Sequence, residues 1–389
     1  MLAVSVFFSL ILFQLVYTVS WNPSTFQYDP GSNYQLVWSD EFTNVGAAQA
    51  VINGQPAYAV NPQNWVIQTG LINGGLQNYT NSIQNCYVQN DQLVLVAMQA
   101  SSATNNLYPS AMITSAGLQQ FTYGKFAAKL VAPYGKGLWP AFWLLGNAWA
   151  QYGFYWPTVG EIDILEMIGG WVWGVNQDKT AYGTVHWNNA SNTLSPSNAA
   201  AQGTSWSTPD GSMLHNNSLV YWTEWNETNI VIGVNEFTYF TLNTNNISGS
   251  INPVDAFHGK WPFYLLLNIA VGGSWPGSPD NTTVWPQNMV VDWVRVYQQT
   301  NVTSTYQQTN VSSTYQQTSV TSTYQQTNVS STQQTTVSST QQTTVSSTQQ
   351  TNVGSNVSSS AATAIFVHFS PSTNFFFIIF SYLFSFHMY

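Results

Sequence analysis

The chain has 389 residues, of which only 5% are charged, and its net charge is −9. Its six Lys and Arg residues exclude the basic surface that a nucleic-acid-binding protein needs. The single cysteine, Cys86, excludes an intramolecular disulfide, and a folded core of roughly 270 residues is large enough to do without one. The 17 Trp and 21 Tyr residues favour a neutral partner with apolar faces, although any single ring more often fills the core.

Residues 1–20 predict a signal peptide that is removed on secretion. Residues 2–16 are apolar, and residues 18–20 resemble a cleavage site. An uncleaved membrane anchor is the alternative, but the apolar stretch is shorter than the ~20 residues of a spanning helix. Ten Asn-x-Ser/Thr sequons behind a signal peptide predict an N-glycosylated extracellular protein. The sequons lie at Asn78, Asn189, Asn216, Asn226, Asn246, Asn281, Asn301, Asn310, Asn328 and Asn356.

Residues 21–297 predict an all-β domain. Short runs of β-branched and aromatic residues alternate with clusters of Gly, Asn, Pro and Ser, as expected for strands and turns. Representative runs are residues 92–97, 124–131, 230–234 and 290–296. No long helical period competes with this pattern. Many short strands in one domain of this size predict a two-sheet β-sandwich.

Two further segments follow the domain. Residues 298–359 consist largely of Gln-, Thr- and Ser-rich copies of eight or nine residues, which predict a disordered and O-glycosylated stalk or an inert spacer. Residues 360–389 begin with small residues and end in an apolar tail, an arrangement typical of a signal for attachment of a glycosylphosphatidylinositol (GPI) anchor. We therefore expect a secreted or cell-surface protein that contacts the membrane only through such an anchor.

Three acids stand close together in residues 161–166, Glu-Ile-Asp-Ile-Leu-Glu. Side chains alternate along a regular strand, so Glu161 and Asp163 share a face that Glu166 does not. A β-bulge at Ile164 and Leu165 would return Glu166 to that face. Two carboxyls about 5–5.5 Å apart perform retaining glycoside hydrolysis, one as nucleophile and one as acid and base. The alternatives are a solvated acidic strand or a cation site.

These residues resemble the active-site signature of glycoside hydrolase family 16 in its bulged, laminarinase-like form. The resemblance covers nearly the whole of residues 35–298. It includes residues 36–42 (Leu-Val-Trp-Ser-Asp-Glu-Phe), 123–126 (Tyr-Gly-Lys-Phe), 137–146 (Gly-Leu-Trp-Pro-Ala-Phe-Trp-Leu-Leu-Gly), 263–273 (Phe-Tyr-Leu-Leu-Leu-Asn-Ile-Ala-Val-Gly-Gly) and 291–297 (Val-Asp-Trp-Val-Arg-Val-Tyr). It implies a β-jelly-roll with a substrate cleft on its concave face. Ala127 and Gly75 stand where the family often has acids, which we expect to alter contacts at the periphery of the cleft.

The resemblance also implies roles for individual residues. Glu161 would be the nucleophile, Asp163 the assisting acid and Glu166 the general acid and base. The residues expected to contact the sugar are Trp139, Trp143, His186, Trp187 and Trp275. Catalysis would need no cofactor. A structural Ca²⁺ is common in the family, and its candidate ligands are Glu41 and Asp292, which could equally be solvated or paired acids.

The implied activity is hydrolysis of β-1,3-glucan or mixed β-1,3-1,4-glucan within the chain. Transglycosylation of cell-wall glucan is an alternative, since it uses the same covalent intermediate with a sugar acceptor in place of water. A non-catalytic glucan-recognition protein and a galactan hydrolase are further alternatives. The partner would be a β-glucan, and we expect a monomer.

Overall fold

The computed structural model describes residues 21–300 except for 73, 105–106, 189–198 and 247–255. The predicted signal peptide, the stalk beyond residue 300 and the anchor signal lie outside these residues. Helical structure within them is limited to short turns, at Pro23–Thr25, Ser102–Thr104, Trp149–Tyr152, Leu214–Asn216 and Thr244–Asn246. None of the helices in this part of the chain has the length and apolar character needed to cross a membrane.

Strands make up most of the described chain, in agreement with the predicted all-β class. In chain order they are β1 (Tyr34–Asp40), β2 (Ala50–Ile52), β3 (Gln55–Ala57), β4 (Val66–Ile67), β5 (Gln77–Tyr79), β6 (Cys86–Gln89), β7 (Gln92–Ala97), β8 (Tyr108–Ser110), β9 (Met112–Thr114), β10 (Gln120–Phe121), β11 (Gly124–Val131), β12 (Leu138–Gly146), β13 (Glu161–Glu166), β14 (Trp171–Val172), β15 (Val175–Asn176), β16 (Thr180–Asn188), β17 (Ala199–Ser207), β18 (Leu219–Trp225), β19 (Asn229–Val234), β20 (Phe237–Asn243), β21 (Phe263–Val271) and β22 (Gln287–Gln299).

Two eight-stranded antiparallel sheets form the sandwich that the sequence predicts. The acid-bearing sheet has the order β17-β16-β13-β12-β21-β9-β4, with β10 also paired to β21. The outer sheet has the order β20-β19-β18-β11-β22-β7-β6, with β1 also paired to β22. Strand β22 extends to Gln299, two residues beyond the predicted end of the domain. Strand β13, which carries the three acids, lies inside its sheet between β12 and β16.

The main core fills the space between the two sheets. Alternate residues of the acid-bearing sheet point into it, among them Ile162 and Val185, both fully buried. Residues such as Phe126 and Ile232 meet them from the outer sheet. The opposite side of the acid-bearing sheet is here named the acid face. Successive side chains of β16 point alternately to the core and to the acid face, and on the acid face Tyr182, Thr184 and His186 are partly exposed.

The far side of the outer sheet is also partly covered. The segment before β1 supplies Phe26 and Tyr28, which pack on a small cluster that includes Ala127 and Trp293. Ala127 is therefore fully buried in the outer sheet. The expectation that it borders the substrate cleft is wrong, because β11 belongs to the other sheet.

Candidate active site

The predicted β-bulge is present in β13. Asp163 pairs with Thr184 of β16 and Glu166 pairs with Tyr182, so Ile164 and Leu165 together oppose the single residue Gly183. The pairing with β12 shifts at the same point. Two residues against one is the definition of a bulge, and the extra residue restores Glu166 to the face of the other two acids. Ile164 and Leu165 are both fully buried.

A tyrosine from the opposite sheet lies under the bulge. The Tyr239 hydroxyl of β20 donates a long hydrogen bond of 3.4 Å to the Ile164 carbonyl. Gly183 leaves the space for this side chain, since a Cβ there would stand 2.7 Å from the Tyr239 hydroxyl and 3.0 Å from Ile232. The absence of a side chain at Gly183 therefore allows the core to support the bulge directly. Sequence reasoning missed Tyr239, which carries no local signal of this contact.

Gly160 determines how the chain enters β13. Its φ of +80° is a conformation that favours glycine. A Cβ would also approach the Phe263 ring to 2.9 Å and the Phe257 ring to 3.0 Å. A residue with a side chain at this position would have to displace these rings, and Glu161 with them. Gly160 thus fixes the start of the acid strand by both backbone conformation and close packing.

The three carboxyls share a largely desolvated environment. Burial, followed by the repulsion of Asp163, raises the pKa of Glu161 well above its ordinary value. Burial also raises the pKa of Asp163, which is only 3% exposed. Burial is the main cause that raises the pKa of Glu166 to about 8, and a charge on Asp163 adds a smaller part. A carboxyl with that pKa is mostly protonated at neutral pH and can act as an acid.

A histidine and a tryptophan lie beside Glu161 and Asp163. The Nε2 atom of His186 is 3.2 Å from Asp163 Oδ2 and 3.9 Å from Glu161 Oε1. His186 pairs with Glu161 across the two strands, which explains why it shares the acid face. The Trp156 ring lies 6.0 Å from the His186 ring. His186 and Trp156 both lower the pKa of Glu161, against the larger effect of burial.

An aromatic group stands beside Glu166. The Trp139 indole N–H donates a 2.9 Å hydrogen bond to Glu166 Oε1. The Trp275 ring contacts Trp139 edge-on at 5.2 Å and Tyr182 at 5.0 Å. All three rings are partly exposed. The structure therefore brings the predicted sugar-contacting residues Trp139 and Trp275 to the acid, and adds Tyr182, which the sequence analysis did not select.

Trp143 and Trp187 are both buried, but they lie on opposite faces of the acid-bearing sheet. Trp143 pairs with Asp163 on the acid face, but it is only 5% exposed, and its indole N–H donates to Asn268 Oδ1 at 2.8 Å. Asn268 in turn donates to the Tyr79 hydroxyl at 3.2 Å. Trp187 is 4% exposed and belongs to the core between the sheets. The expectation that Trp187 contacts the sugar is wrong, because it follows His186 by one residue and points to the opposite face.

Comparison with known proteins identifies the family. The sequence pattern described as "Glycosyl hydrolases family 16" matches residues 74–295. The chain belongs to this family. A "Beta-glucanase" from Rhodothermus marinus is 31% identical over 275 residues, which cover 69% of this chain and 87% of that protein. The laminarinase catalytic domain from Thermotoga maritima is 32% identical, with a TM-score of 0.56, over 69% of this chain and all of that domain.

Other relatives of this family 16 protein are longer and more varied. The "Clotting factor G alpha subunit" from Tachypleus tridentatus is 32% identical over 286 residues and 70% of this chain, but the chain spans only 35% of its length. Relatives at lower identity include endoglycanases, a galactosidase and a β-1,3-glucan-binding protein. Family membership therefore leaves the activity to be argued from the site.

The donor set of the family 16 site could also hold a metal ion. One ligand atom each from Glu161, Asp163 and His186 lie within 4.8 Å of one another. Two carboxylates and an imidazole suit a divalent transition metal such as Zn²⁺. An ion there would bind the same oxygens that the retaining mechanism uses. Within the described residues this is the only such group of three, and it does not include the predicted calcium ligands.

Each predicted calcium ligand has a basic partner. Glu41 accepts two hydrogen bonds of 2.8 Å from Arg295, from Nε and from Nη2. Asp292 lies 3.0 Å from the Lys129 ammonium and accepts a hydrogen bond from Gln92. The arrangement is that of paired acids, the alternative considered from the sequence. The calcium site stays a prediction that these contacts do not support.

Proposed function

We propose that this family 16 domain is a retaining endo-β-glucanase that hydrolyses β-1,3-glucan or mixed β-1,3-1,4-glucan. The observation that carries the proposal is the bulge, which gives Glu161, Asp163 and Glu166 a common face. A sugar chain lying across the acid face would meet a carboxyl on each side of one glycosidic bond. This is the arrangement that retaining hydrolysis requires.

Glu166 is the general acid and base in this proposal. Its pKa of about 8 keeps the proton on the carboxyl at neutral pH. The Trp139 indole can only donate, so it binds Oε1 as an acceptor and leaves Oε2 to carry the proton. Oε2 then protonates the leaving glycosidic oxygen as its bond to the anomeric carbon breaks. Later Oε2 takes a proton from the attacking water and is ready for the next cycle.

Glu161 is the nucleophile, and Asp163 regulates its charge. Because both acids are buried side by side, the pair is most stable with one proton between them. We assign that proton to Asp163, whose side chain is 4% exposed against 12% for Glu161. The Glu161 carboxylate attacks the anomeric carbon to form a glycosyl ester. Water assisted by Glu166 then breaks that ester with overall retention.

Neutral glucan fits the surroundings of the acids. Trp139, Trp275 and Tyr182 are partly exposed rings next to Glu166. A β-linked glucose unit presents C–H groups on both faces of its ring, and such faces stack on aromatic side chains. The names of the Rhodothermus and Thermotoga relatives refer to the same substrate class. These two sources support a glucan over a charged polysaccharide.

The test is an analysis of products from laminarin, lichenan, agarose-type galactan and reduced oligosaccharide acceptors. We expect shorter oligosaccharides from laminarin or lichenan, with retained anomeric configuration by NMR. Glu161→Gln should abolish turnover, whereas the control Glu236→Gln, at an exposed position, should not. Products longer than the donor would favour transglycosylation, and cleavage of galactan alone would favour the galactanase. Glucan binding without turnover of any substrate would favour a recognition protein.

We also propose that the protein is secreted and tethered to the cell surface. The proposal rests on the signal peptide, the sequons and the anchor signal predicted from the sequence. Phosphatidylinositol-specific phospholipase C should release it from intact cells. Retention of the protein on treated cells, with release of a known GPI-anchored control, would contradict the tether.

A further inference from the structure

A hairpin beyond the acid strand exposes two tryptophans. It comprises β14 and β15, residues 171–176, and is here named the Trp hairpin. Trp171 is 68% exposed and Trp173 is 71% exposed. They are the most exposed tryptophans in the described part of the chain, where most others are at least partly covered. Large exposed apolar rings are costly in water unless a partner covers them.

The turn of the hairpin holds Trp173 in an unusual conformation. Trp173 and Gly174 have φ values of +52° and +79°, as in a two-residue type I′ turn. The first of these positions normally carries Asn, Asp or Gly, because a positive φ is unfavourable for a large side chain. A tryptophan at this position displays its ring at the tip, at the expense of local stability.

The base of the hairpin is held firmly. The Gln177 amide donates to the Gly170 carbonyl at 2.8 Å and closes the base. The Gly170 and Gly135 amides both donate to Asp178 Oδ1 at 2.9 Å. Gly170 packs so closely on Lys136 that a Cβ would lie 2.6 Å from its backbone nitrogen. The rings are therefore exposed on a well-anchored support, which lowers the entropy lost when they bind a ligand.

A continuous series of contacts joins the hairpin to the acids. The Tyr182 hydroxyl donates to Gln177 Oε1 at 2.7 Å, and the Tyr182 ring contacts Trp275. Trp275 contacts Trp139, whose indole is bonded to Glu166. Trp171 is five positions beyond Glu166 in the chain, so their Cα atoms are at most about 18 Å apart. That distance corresponds to a few sugar rings.

We propose that the Trp hairpin is a binding platform for β-glucan, on the side of the site where Glu166 lies. The proposal rests on the proposed function of the acids. Residues 171–176 carry no charge, which suits a neutral polysaccharide. A glucan chain bound across the acid face would continue over Trp139 and Trp275 and stack its C–H faces on Trp171 and Trp173. The platform would favour long chains over short oligosaccharides.

The experiment measures binding of the full-length protein in the Glu161→Gln background, so that turnover does not consume the ligand. Trp171→Ala/Trp173→Ala should weaken binding to laminarin polymer on the order of tenfold in affinity electrophoresis. Binding of a β-1,3-linked trisaccharide should not change. Trp171→Phe/Trp173→Phe should restore most of the polymer affinity. The control is Val51→Ala, since Val51 is 71% exposed on the other small hairpin, β2–β3.

The outcomes separate the platform from the proposed function. Unchanged polymer affinity in the double Ala variant, while wild type cleaves laminarin, would overturn the platform alone. Equal losses for polymer and trisaccharide would overturn it as well, because the rings would then act within the central site. If the parent neither binds nor cleaves any glucan, both proposals fail. Trp-dependent binding to phosphatidylcholine vesicles with no effect on glucan would assign the rings to a lipid surface instead.

Discussion

Glu166→Gln should change how the stability of the domain depends on pH. The pKa of Glu166 is about 8 in the folded protein, against an ordinary value of 4.5. The folded state thus holds a proton that the unfolded chain releases between these values. In this window the contribution of Glu166 to the free energy of unfolding should fall by about 1.4 kcal/mol for each pH unit that the pH rises. The contribution is complete below pH 4.5 and lost above about pH 8.

Gln cannot titrate, so the variant lacks this contribution. Between pH 5 and pH 7.5 the stability of wild type minus that of Glu166→Gln should decrease by about 3 kcal/mol. The shifts at Glu161 and Asp163 remain in both proteins and largely cancel in the difference. Burial is the main cause of the shift, so Gln at this position should be better tolerated than an ionised Glu at high pH.

The assay is urea unfolding of both proteins at pH 5 and pH 7.5, followed by tryptophan fluorescence. Glu236→Gln serves as control, because its side chain is exposed and the substitution is chemically the same. The control should run parallel to wild type across the pH range. A difference between wild type and Glu166→Gln that stays constant with pH would refute the inference that Glu166 holds a proton in the folded domain.

Three further predictions concern β13 and its neighbour β16. Glu166→Gln should retain cleavage of an aryl glycoside whose leaving group needs no protonation. Glu161→Gln should lower the initial rate of cleavage of every substrate by at least about 10³-fold. Gly183→Ala should destabilise the domain by about 1–3 kcal/mol in urea unfolding, since its Cβ would collide with the Tyr239 hydroxyl. Micromolar Zn²⁺ should inhibit hydrolysis by binding to Glu161, Asp163 and His186. His186→Ala should raise the Zn²⁺ concentration needed for inhibition. Equal inhibition of wild type and His186→Ala would place the ion elsewhere.

The sequence was sufficient to predict the bulge. Side chains alternate between the two faces of a strand. The three acids can therefore share one face only if one extra residue lies between Asp163 and Glu166. The same rule applied to β16 would have excluded Trp187, since His186 and Trp187 cannot both face the acids. Neighbouring residues of a strand take opposite faces, so the position of His186 on the acid face places Trp187 in the core.

Other features depend on contacts that no local pattern encodes. Tyr239 reaches the bulge from the opposite sheet, 75 residues along the chain from Ile164. The bond from Trp143 to Asn268 joins strands 125 residues apart. The burial of Trp143 likewise depends on the residues packed around it. Trp143 lies on the acid face beside Asp163 but is buried, so it does not offer a free ring to a sugar. Only the folded sheet order shows such relations.

The bulge also determines which side chains of β13 reach the core. In a regular strand Leu165 would lie on the acid face and Glu166 would point into the core. The extra residue reverses both, so that Ile164 and Leu165 are fully buried while Glu166 is partly exposed. Ile164 would face the core in either case, so the gain is the Leu165 side chain, whose burial contributes roughly 1.5–3 kcal/mol. The local irregularity that assembles the acids therefore also moves a leucine from the acid face into the core.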